Sequence, residues 1–341
     1  MNEETLLIRA DANGAIGTGH IMRCLALAQA WQGAGGRAVF AIAEAPTKLK
    51  QRLTSEAFEI ASISETPGEI EDAKATVRVA RQLRSSWLVV DGDRFGVAFL
   101  EHLRASGRRT LLLDDFAERE SFPVDLILNL NLGASEAPYR KLGAETELLL
   151  GESYALLRRE FTSWRETRNF PEKGSRILVT LGGSDPENLT PKVVESLARK
   201  PDYYIKVITG PAHAHPGEMS KFSFSNIHVE FNSSNMCTDM GEADLAIVVA
   251  GGTLWELLYM GCVVLSYSRN PVQAQIVEDL EKKGALRNLG AIKDFDGSRL
   301  AEVVEELGRS KELRRQMATI GRQIIDGEGA TRVLQHLRGH G

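Results

Sequence analysis

Residues 6–31 read LLIRADANGAIGTGHIMRCLALAQAW, and their order of residue types decides the fold class. Leu6–Ile8 is a short apolar run with strand character. Asp11-Ala-Asn-Gly14 and Gly17-Thr-Gly19 follow as a glycine-rich turn. From Ile21 the apolar residues change period: Ile21, Leu25 and Ala28, with Met22, Ala26 and Ala30 beside them, recur at helical spacing. A strand, a glycine loop and a helix in that order aim backbone N–H groups and the positive helix end at one spot, a seat for an anionic or polar ligand. His20 stands at that spot. The helix end disfavours its protonated form, which suits a general base.

The spacing Gly14-x-x-Gly17-x-Gly19 is not the dinucleotide fingerprint G-x-G-x-x-G. Glu44, closing the apolar run Ala38–Ala43, stands where a ribose-binding acid would sit in a nicotinamide enzyme, so a dehydrogenase is a competing reading. No G-x-x-x-x-G-K-[ST] occurs, which excludes a P-loop.

At 341 residues, with 43% hydrophobic and 26% charged, the chain suits two globular domains. A net charge of -5 gives no reason to expect nucleic acid. Cys24, Cys237 and Cys262 are far apart and read as small buried hydrophobes in a reducing compartment. The acidic start MNEETLLIRADANG is no signal peptide, and no run reaches the roughly 18 apolar residues of a membrane span. The expected location is cytoplasmic.

Strands and helices keep alternating beyond the opening unit. Arg37–Ala43, Ser86–Val90, Arg109–Leu113 and Val124–Leu128 read as strands, and Pro46–Ala57, Glu69–Arg84 and Phe95–Ser106 as helices. Repeated units of this kind imply a parallel sheet covered on both faces. Polar residues gather just after the strands: Asp11 and Asn13, Asp91 and Asp93, Asp114 and Asp115, Asn129 and Asn131. Each alone could cap a helix or turn the chain. Together they mark the edge where open α/β sheets bind ligands.

Gly151–Ser175 breaks the rhythm, giving domains 1–155 and 175–341 joined by a linker over 156–174. In the second half Arg176–Thr180 is a strand, followed by LGGSDPEN over 181–188. There Ser184 or Asp185 can cap a helix with Pro186 and Glu187 in its first turn, and Gly182 and Gly183 allow close approach of a pyrophosphate. Tyr204–Thr209 and Ile227–Phe231 are strands. His213 and His215 in GPAHAHPGE lack a third metal ligand and read as a solvated loop. The most apolar strand, Ala243–Ala250, leads into Gly251-Gly252-Thr253-Leu-Trp-Glu256. Thr253 and Glu256 suit either a capping box or a nucleotide site in which Glu256 accepts both ribose hydroxyls. Cys262–Tyr267 is a strand with Asn270 and Gln273 at its far edge. Amphipathic helices close the chain, the last placed to pack back on the first domain.

Taken together, Arg9-Ala-Asp11, Gly17-Thr-Gly-His20 with Arg23, Asp114-Asp115, Asn129-Leu-Asn131, GESYALLR over 151–158, LGGSDPEN and AGGTLWE over 250–256 resemble the PseG-like UDP-sugar hydrolases of pseudaminic acid biosynthesis, relatives of MurG in the glycosyltransferase-B (GT-B) superfamily. The resemblance implies two Rossmann-like α/β domains facing a central cleft. It implies hydrolysis of UDP-2,4-diacetamido-2,4,6-trideoxy-β-L-altropyranose, without metal or other cofactor, on a route to surface glycans. By that resemblance His20, Asp11 and Asn270 are catalytic, and Asn13, Gly17, Gly19, Arg23, Asp93, Asp115 and Asn131 hold the sugar. Gly182, Gly183, Ser184, Gly251, Gly252, Thr253 and Glu256 hold UDP. The partner is a small-molecule UDP-sugar, the chain a monomer or weak homodimer. Asp93 stands where the family usually has a tyrosine, and Asn270 is separated from Gln273 where the family has adjacent Asn-Gln. A sugar with different amino substituents would fit. The alternative within the fold is a glycosyltransferase using the same donor; a non-catalytic nucleotide-sugar binder is a third reading.

Overall fold

The computed structural model describes residues 4–141, 146–164, 168–198, 200–213, 224–233 and 235–339. The chain divides into two compact units, Met1–Asn13, His20–Arg159 and Gly327–Gly341 forming one, Gly14–Gly19 and Glu160–Asp326 the other. The limits expected from sequence differ from this division in the last helix, the loop 14–19 and the expected linker 156–174, which the division shares between the units at Arg159/Glu160.

The first unit runs β1 (Thr5–Ala10), α1 (Gly19–Gly33), β2 (Arg37–Ile42), α2 (Thr47–Ser55), β3 (Glu59–Ser62), α3 (Ile70–Leu83), β4 (Trp87–Asp91), α4 (Val97–Ala105), β5 (Arg109–Leu113), β6 (Leu126–Asn129), α5 (Ala137–Lys141) and β7 (Glu147–Leu150). The short α6 (Arg159–Thr162) follows. Its seven strands lie in the order β3-β2-β1-β4-β5-β6-β7, and every pairing is parallel. β1 is buried from end to end, the burial that a parallel sheet covered on both faces demands. Side chains alternate between the faces. Leu6 and Ile8 join Leu25 and Trp31 in one core cluster, while Leu7 joins Ala73 and Phe99 in another.

The second unit runs β8 (Arg176–Thr180), α7 (Leu189–Ala198), β9 (Tyr204–Thr209), β10 (Ile227–Phe231), α8 (Met236–Glu242), β11 (Leu245–Val249), α9 (Gly252–Tyr259), β12 (Val263–Ser268), α10 (Pro271–Lys282), β13 (Leu286–Ala291), α11 (Gly297–Arg309) and α12 (Lys311–Ile324). Six strands lie in the order β10-β9-β8-β11-β12-β13, again parallel. Ile177 and Val179 of β8 pack with Val193 and Leu197 of α7 and with Leu300 and Val304 of α11. Arg314 of α12 is fully buried and donates to the carbonyls of Leu307 at 2.7 Å, Gly308 at 2.6 Å and Pro171. That staples the segment entering the unit to the end of α11.

The last helix, α13 (Gly329–Gly339), belongs to the first unit. Its Val333 and Leu337 join the cluster under β1, and the Trp87 indole donates to the Leu337 carbonyl at 2.9 Å. No helix among the described residues is long and apolar enough to cross a membrane.

Two helix starts bear on the sequence reading. α7 opens at Leu189, so Pro186 and Glu187 lie in the preceding turn rather than in its first turn. The cause is Asp185, whose carboxylate accepts from Leu189 N at 3.0 Å and Thr190 N at 2.9 Å and therefore caps from further upstream. α9 opens at Gly252 with no side-chain cap and Thr253 already helical, so of the two readings of Thr253 and Glu256 the capping box does not form.

The docking of α13 is testable. Val333→Asp buries a carboxylate among Leu6, Trp31 and their neighbours. It is expected to cost the first unit at least about 3 kcal/mol, read as a lowered urea midpoint.

Candidate active site

The strand order of the first sheet reverses direction between β1 and β4, and that of the second between β8 and β11. In open α/β sheets the carboxyl ends of strands at such a switch point leave a crevice for ligands. The polar residues expected at a site follow these four strands and β5, β6 and β12.

In the first unit His20 is the second residue of α1 and half-buried. One turn later Arg23 occupies the middle of an ion cluster. Its Nε and Nη2 donate to the Asp91 carboxylate at 2.7 and 2.6 Å, and Nη1 reaches both Asp115 oxygens at 2.9 Å. Asp91 ends β4 and is fully buried. Burial alone would push its pKa up, but the Arg23 guanidinium and then His20 outweigh it and hold the carboxyl below its ordinary range. The same two carboxylates raise the pKa of Arg23 against its own burial. Asn131 extends the cluster by donating from Nδ2 to the Asp115 carbonyl at 3.0 Å, and its own N–H is held by Asn129 Oδ1 at 3.0 Å.

Asp114, beside Asp115, accepts from the Ala117 N–H at 2.7 Å and the Tyr139 hydroxyl at 2.9 Å, and pairs with Arg119. Sequence reasoning passed over Arg119 and Tyr139. A lone arginine after an Asp-Asp pair carries no periodic signal, and only the fold brings it back to β4.

Asp11 ends the β1 turn with its Oδ1 committed: it accepts from Ala43 N at 2.8 Å and Glu44 N at 3.0 Å and pairs with Arg9 Nη1 at 2.8 Å. Its Oδ2 is buried without a hydrogen-bond partner. Arg9, wholly buried, also grips Asp72 of α3 at 2.9 and 2.8 Å. Asn13 Nδ2 donates to Glu44 Oε2 at 2.6 Å. Asp93, exposed in the turn after β4, makes no hydrogen bond or ion pair among the described residues. Gly17 and Gly19 bracket the loop that leads into α1, Gly17 with φ of 75°.

In the second unit the loops after β8, β11 and β12 are neighbours because β11 pairs with both of the others. Gly182, Gly183 and Ser184 follow β8, Gly251, Gly252 and Thr253 follow β11, and Asn270 follows β12, all at the carboxyl edge of the sheet. Gly251 and Gly252 are exposed at the amino end of α9, while Glu256 is buried in its second turn. Asn270 is the N-cap of α10: its Oδ1 accepts from Gln273 N at 2.9 Å, and Gln273 Oε1 accepts from Arg269 N at 2.8 Å. The carbonyl face of Asn270 is thereby spent on a helix end. Arg269 in turn pairs with Glu187 at 2.7 and 2.9 Å, tying the β12 loop to the β8 loop. Of the two loop histidines, His215 lies outside the described residues.

Residues 176–327 match the family model for the glycosyltransferase family 28 C-terminal domain. The chain is 25% identical to an uncharacterized protein of Methanocaldococcus jannaschii over 301 residues, 85% of this chain but only 60% of that protein's length. It is 25% identical to the UDP-2,4-diacetamido-2,4,6-trideoxy-beta-L-altropyranose hydrolase of Campylobacter jejuni over 285 residues, 82% of this chain and 97% of the relative. Among solved structures, MurG of Acinetobacter baumannii superposes with a TM-score of 0.64 over 99% of both chains at 15% identity. That likeness is one of fold: the chain is a GT-B-like pair of parallel α/β units.

Arg23→Met leaves Asp91 buried with no guanidinium. It is expected to cost about 3–5 kcal/mol in denaturant unfolding at neutral pH. Because the Asp91 pKa is depressed on folding, its contribution is complete above the unfolded carboxylate value, about 3.9, and is lost as pH falls through the lower folded value. The wild type should therefore lose stability on acidification below about pH 4, and the variant should show a shallower loss over that window.

Proposed function

We propose that this chain is a hydrolase of a UDP-activated deoxyamino sugar, releasing the free sugar and UDP. The observation that carries the reading is the alignment with the Campylobacter hydrolase along nearly the whole of that enzyme. Support from this chain's own residues is the placing of His20 at the amino end of α1, beside an ion cluster whose two carboxylates share one guanidinium.

In this reading a water molecule attacks the anomeric carbon. His20 accepts the proton from that water as the new C–O bond forms. The bond between the anomeric carbon and the β-phosphate oxygen breaks, and its electron pair leaves with UDP. Diphosphate is an adequate leaving group, and the exposed N–H groups at Gly251 and Gly252 suit its developing charge. Glu256 accepts the ribose hydroxyls, Thr253 and Ser184 hold phosphate oxygens, and Gly182 and Gly183 keep the backbone near them. Asn13, Arg23, Asp115 and Asn131 shape the sugar end. Asp93, unpaired and exposed, suits a hydrogen-bond donor on the sugar, including a free amino group.

The second reading, a glycosyltransferase with the same donor, draws on the match of residues 176–327 to a glycosyltransferase C-terminal domain. The two differ in what attacks the anomeric carbon. Hydrolysis in ¹⁸O-labelled water should give unlabelled UDP at a rate independent of any acceptor, whereas a transferase needs the acceptor.

UDP is expected to raise the melting temperature of the wild type by mass action, and Glu256→Ala to abolish that rise. His20→Ala should lower kcat by about 10²–10⁴-fold while leaving the UDP-induced shift intact. Asp93→Tyr should change which sugar substituents are preferred rather than end turnover. A panel of UDP-diacetamido and UDP-amino sugars from which the wild type releases no UDP would overturn the hydrolase.

A further inference from the structure

The turn between β4 and α4 carries Asp93 and lies against His20. Gly92 has φ of 142°, a backbone region that side chains rarely adopt. A Cβ there would stand 3.1 Å from the Phe95 ring and 3.7 Å from His20 Nδ1. The imidazole therefore faces bare backbone. On its other side the turn is backed by the loop before α3: a Cβ on Gly68 would come within 2.3 Å of the Arg94 carbonyl oxygen.

Within itself the turn is weakly held, by Phe95 N–H to the Gly92 carbonyl at 3.3 Å and Gly96 N–H to the Arg94 carbonyl at 3.0 Å. Outside it, Arg94 pairs with Glu44 at 3.4 Å and the Phe95 ring is buried against Phe99 and Arg9, but the backbone carbonyls of the turn are gripped by Arg119. Its Nη2 donates to the Gly92 carbonyl at 3.1 Å and its Nε to the Phe95 carbonyl at 3.3 Å. The third branch of the fork, Nη1, pairs with Asp114, which Tyr139 and the Ala117 N–H hold in place. Burial pushes the Tyr139 phenol pKa up, so the hydroxyl stays a donor to Asp114 at any working pH. One planar group thus joins the end of β5 to both carbonyls that bracket Asp93, a span that the point charge of a lysine cannot reproduce.

We propose that Arg119 is a positioning residue: by gripping the carbonyls of Gly92 and Phe95 it holds this turn, and Asp93 with it, against His20. Asp93 makes no bond of its own among the described residues, so its place is set by the backbone of the turn, two of whose carbonyls Arg119 grips. The inference rests on the proposed hydrolase for what the turn does, and on geometry alone for how the turn is held.

The test uses the full chain with Arg119→Met, Arg119→Lys and Tyr139→Phe. Hydrogen exchange should speed up by about tenfold at the amides of Phe95 and Gly96 in Arg119→Met, with those of β4 unchanged. The His20 ring resonance should move in the same variant. Arg119→Lys should not restore either, and Tyr139→Phe should give a smaller change of the same sign. In turnover, Asp93→Asn should alter kcat/KM several-fold in the wild type and by less than about twofold in Arg119→Met, because the second change removes what the first acts on. Unaltered exchange and an unmoved His20 resonance in folded Arg119→Met, or additive effects on kcat/KM, overturn the proposal. Should Arg119→Met not fold, an unmoved His20 resonance in both Arg119→Lys and Tyr139→Phe overturns it. If the wild type releases UDP from no sugar, the hydrolase fails, and exchange and resonance still decide Arg119.

Discussion

A guanidinium divided between two carboxylates at the carboxyl end of β4 sets the terms for the first unit's polar edge. Asp91 is wholly buried, and an ionised carboxylate there is tolerable only because Arg23 meets it with two parallel hydrogen bonds. Arg23 in turn can leave water only because Asp115 takes the remaining arm. The pair of contacts fixes α1 against the ends of β4 and β5, and His20, one turn before Arg23, is oriented by the same constraint. Removing Arg23 leaves the buried Asp91 carboxylate stranded, so the cluster is a geometric lock more than a source of stability.

The same logic repeats outward. Arg9 is divided between Asp11 and Asp72, and Arg119 holds Asp114 while reaching the turn after β4. Each arginine ties a strand end to another element, Arg9 to α3 and Arg119 to the turn after β4. Parallel sheets make such ties necessary. Their strands are buried on both faces, so the loops at the carboxyl edge are the places where polar side chains can gather, and neighbouring loops can be fixed only by one another. In the second unit the Arg269–Glu187 pair and the caps by Asp185 and Asn270 do this work.

How much of this could be read beforehand depends on where each residue lies in its sheet. The central strands β1, β4, β5, β8, β11 and β12 are recognisable because burial on both faces demands a continuous apolar run. The strands that sequence reading overlooked, β3, β7 and β13, are all at sheet edges. β3 is half-buried at best, and the half-buried, ion-paired Glu147 and Arg287 interrupt the other two, so no run of that kind forms. The start of α7 lies beyond the turn expected to open it, because which residues the Asp185 carboxylate can cap depends on the loop's path.

By its own order of residues, the chain determined the repeated β-α rhythm, the two-sheet class and the positions of His20, Asp91, Asp93, Asp115, Asn131 and the glycine pairs at strand ends. These follow from local periodicity and from backbone chemistry, which act over a few residues. Which carboxylate meets which arginine was decided by tertiary structure alone. Arg23 and Asp115 are 92 residues apart, and Arg119 reaches Gly92 across 27. Such partners are chosen by strand order, and strand order is a property of the folded sheet that no local pattern encodes.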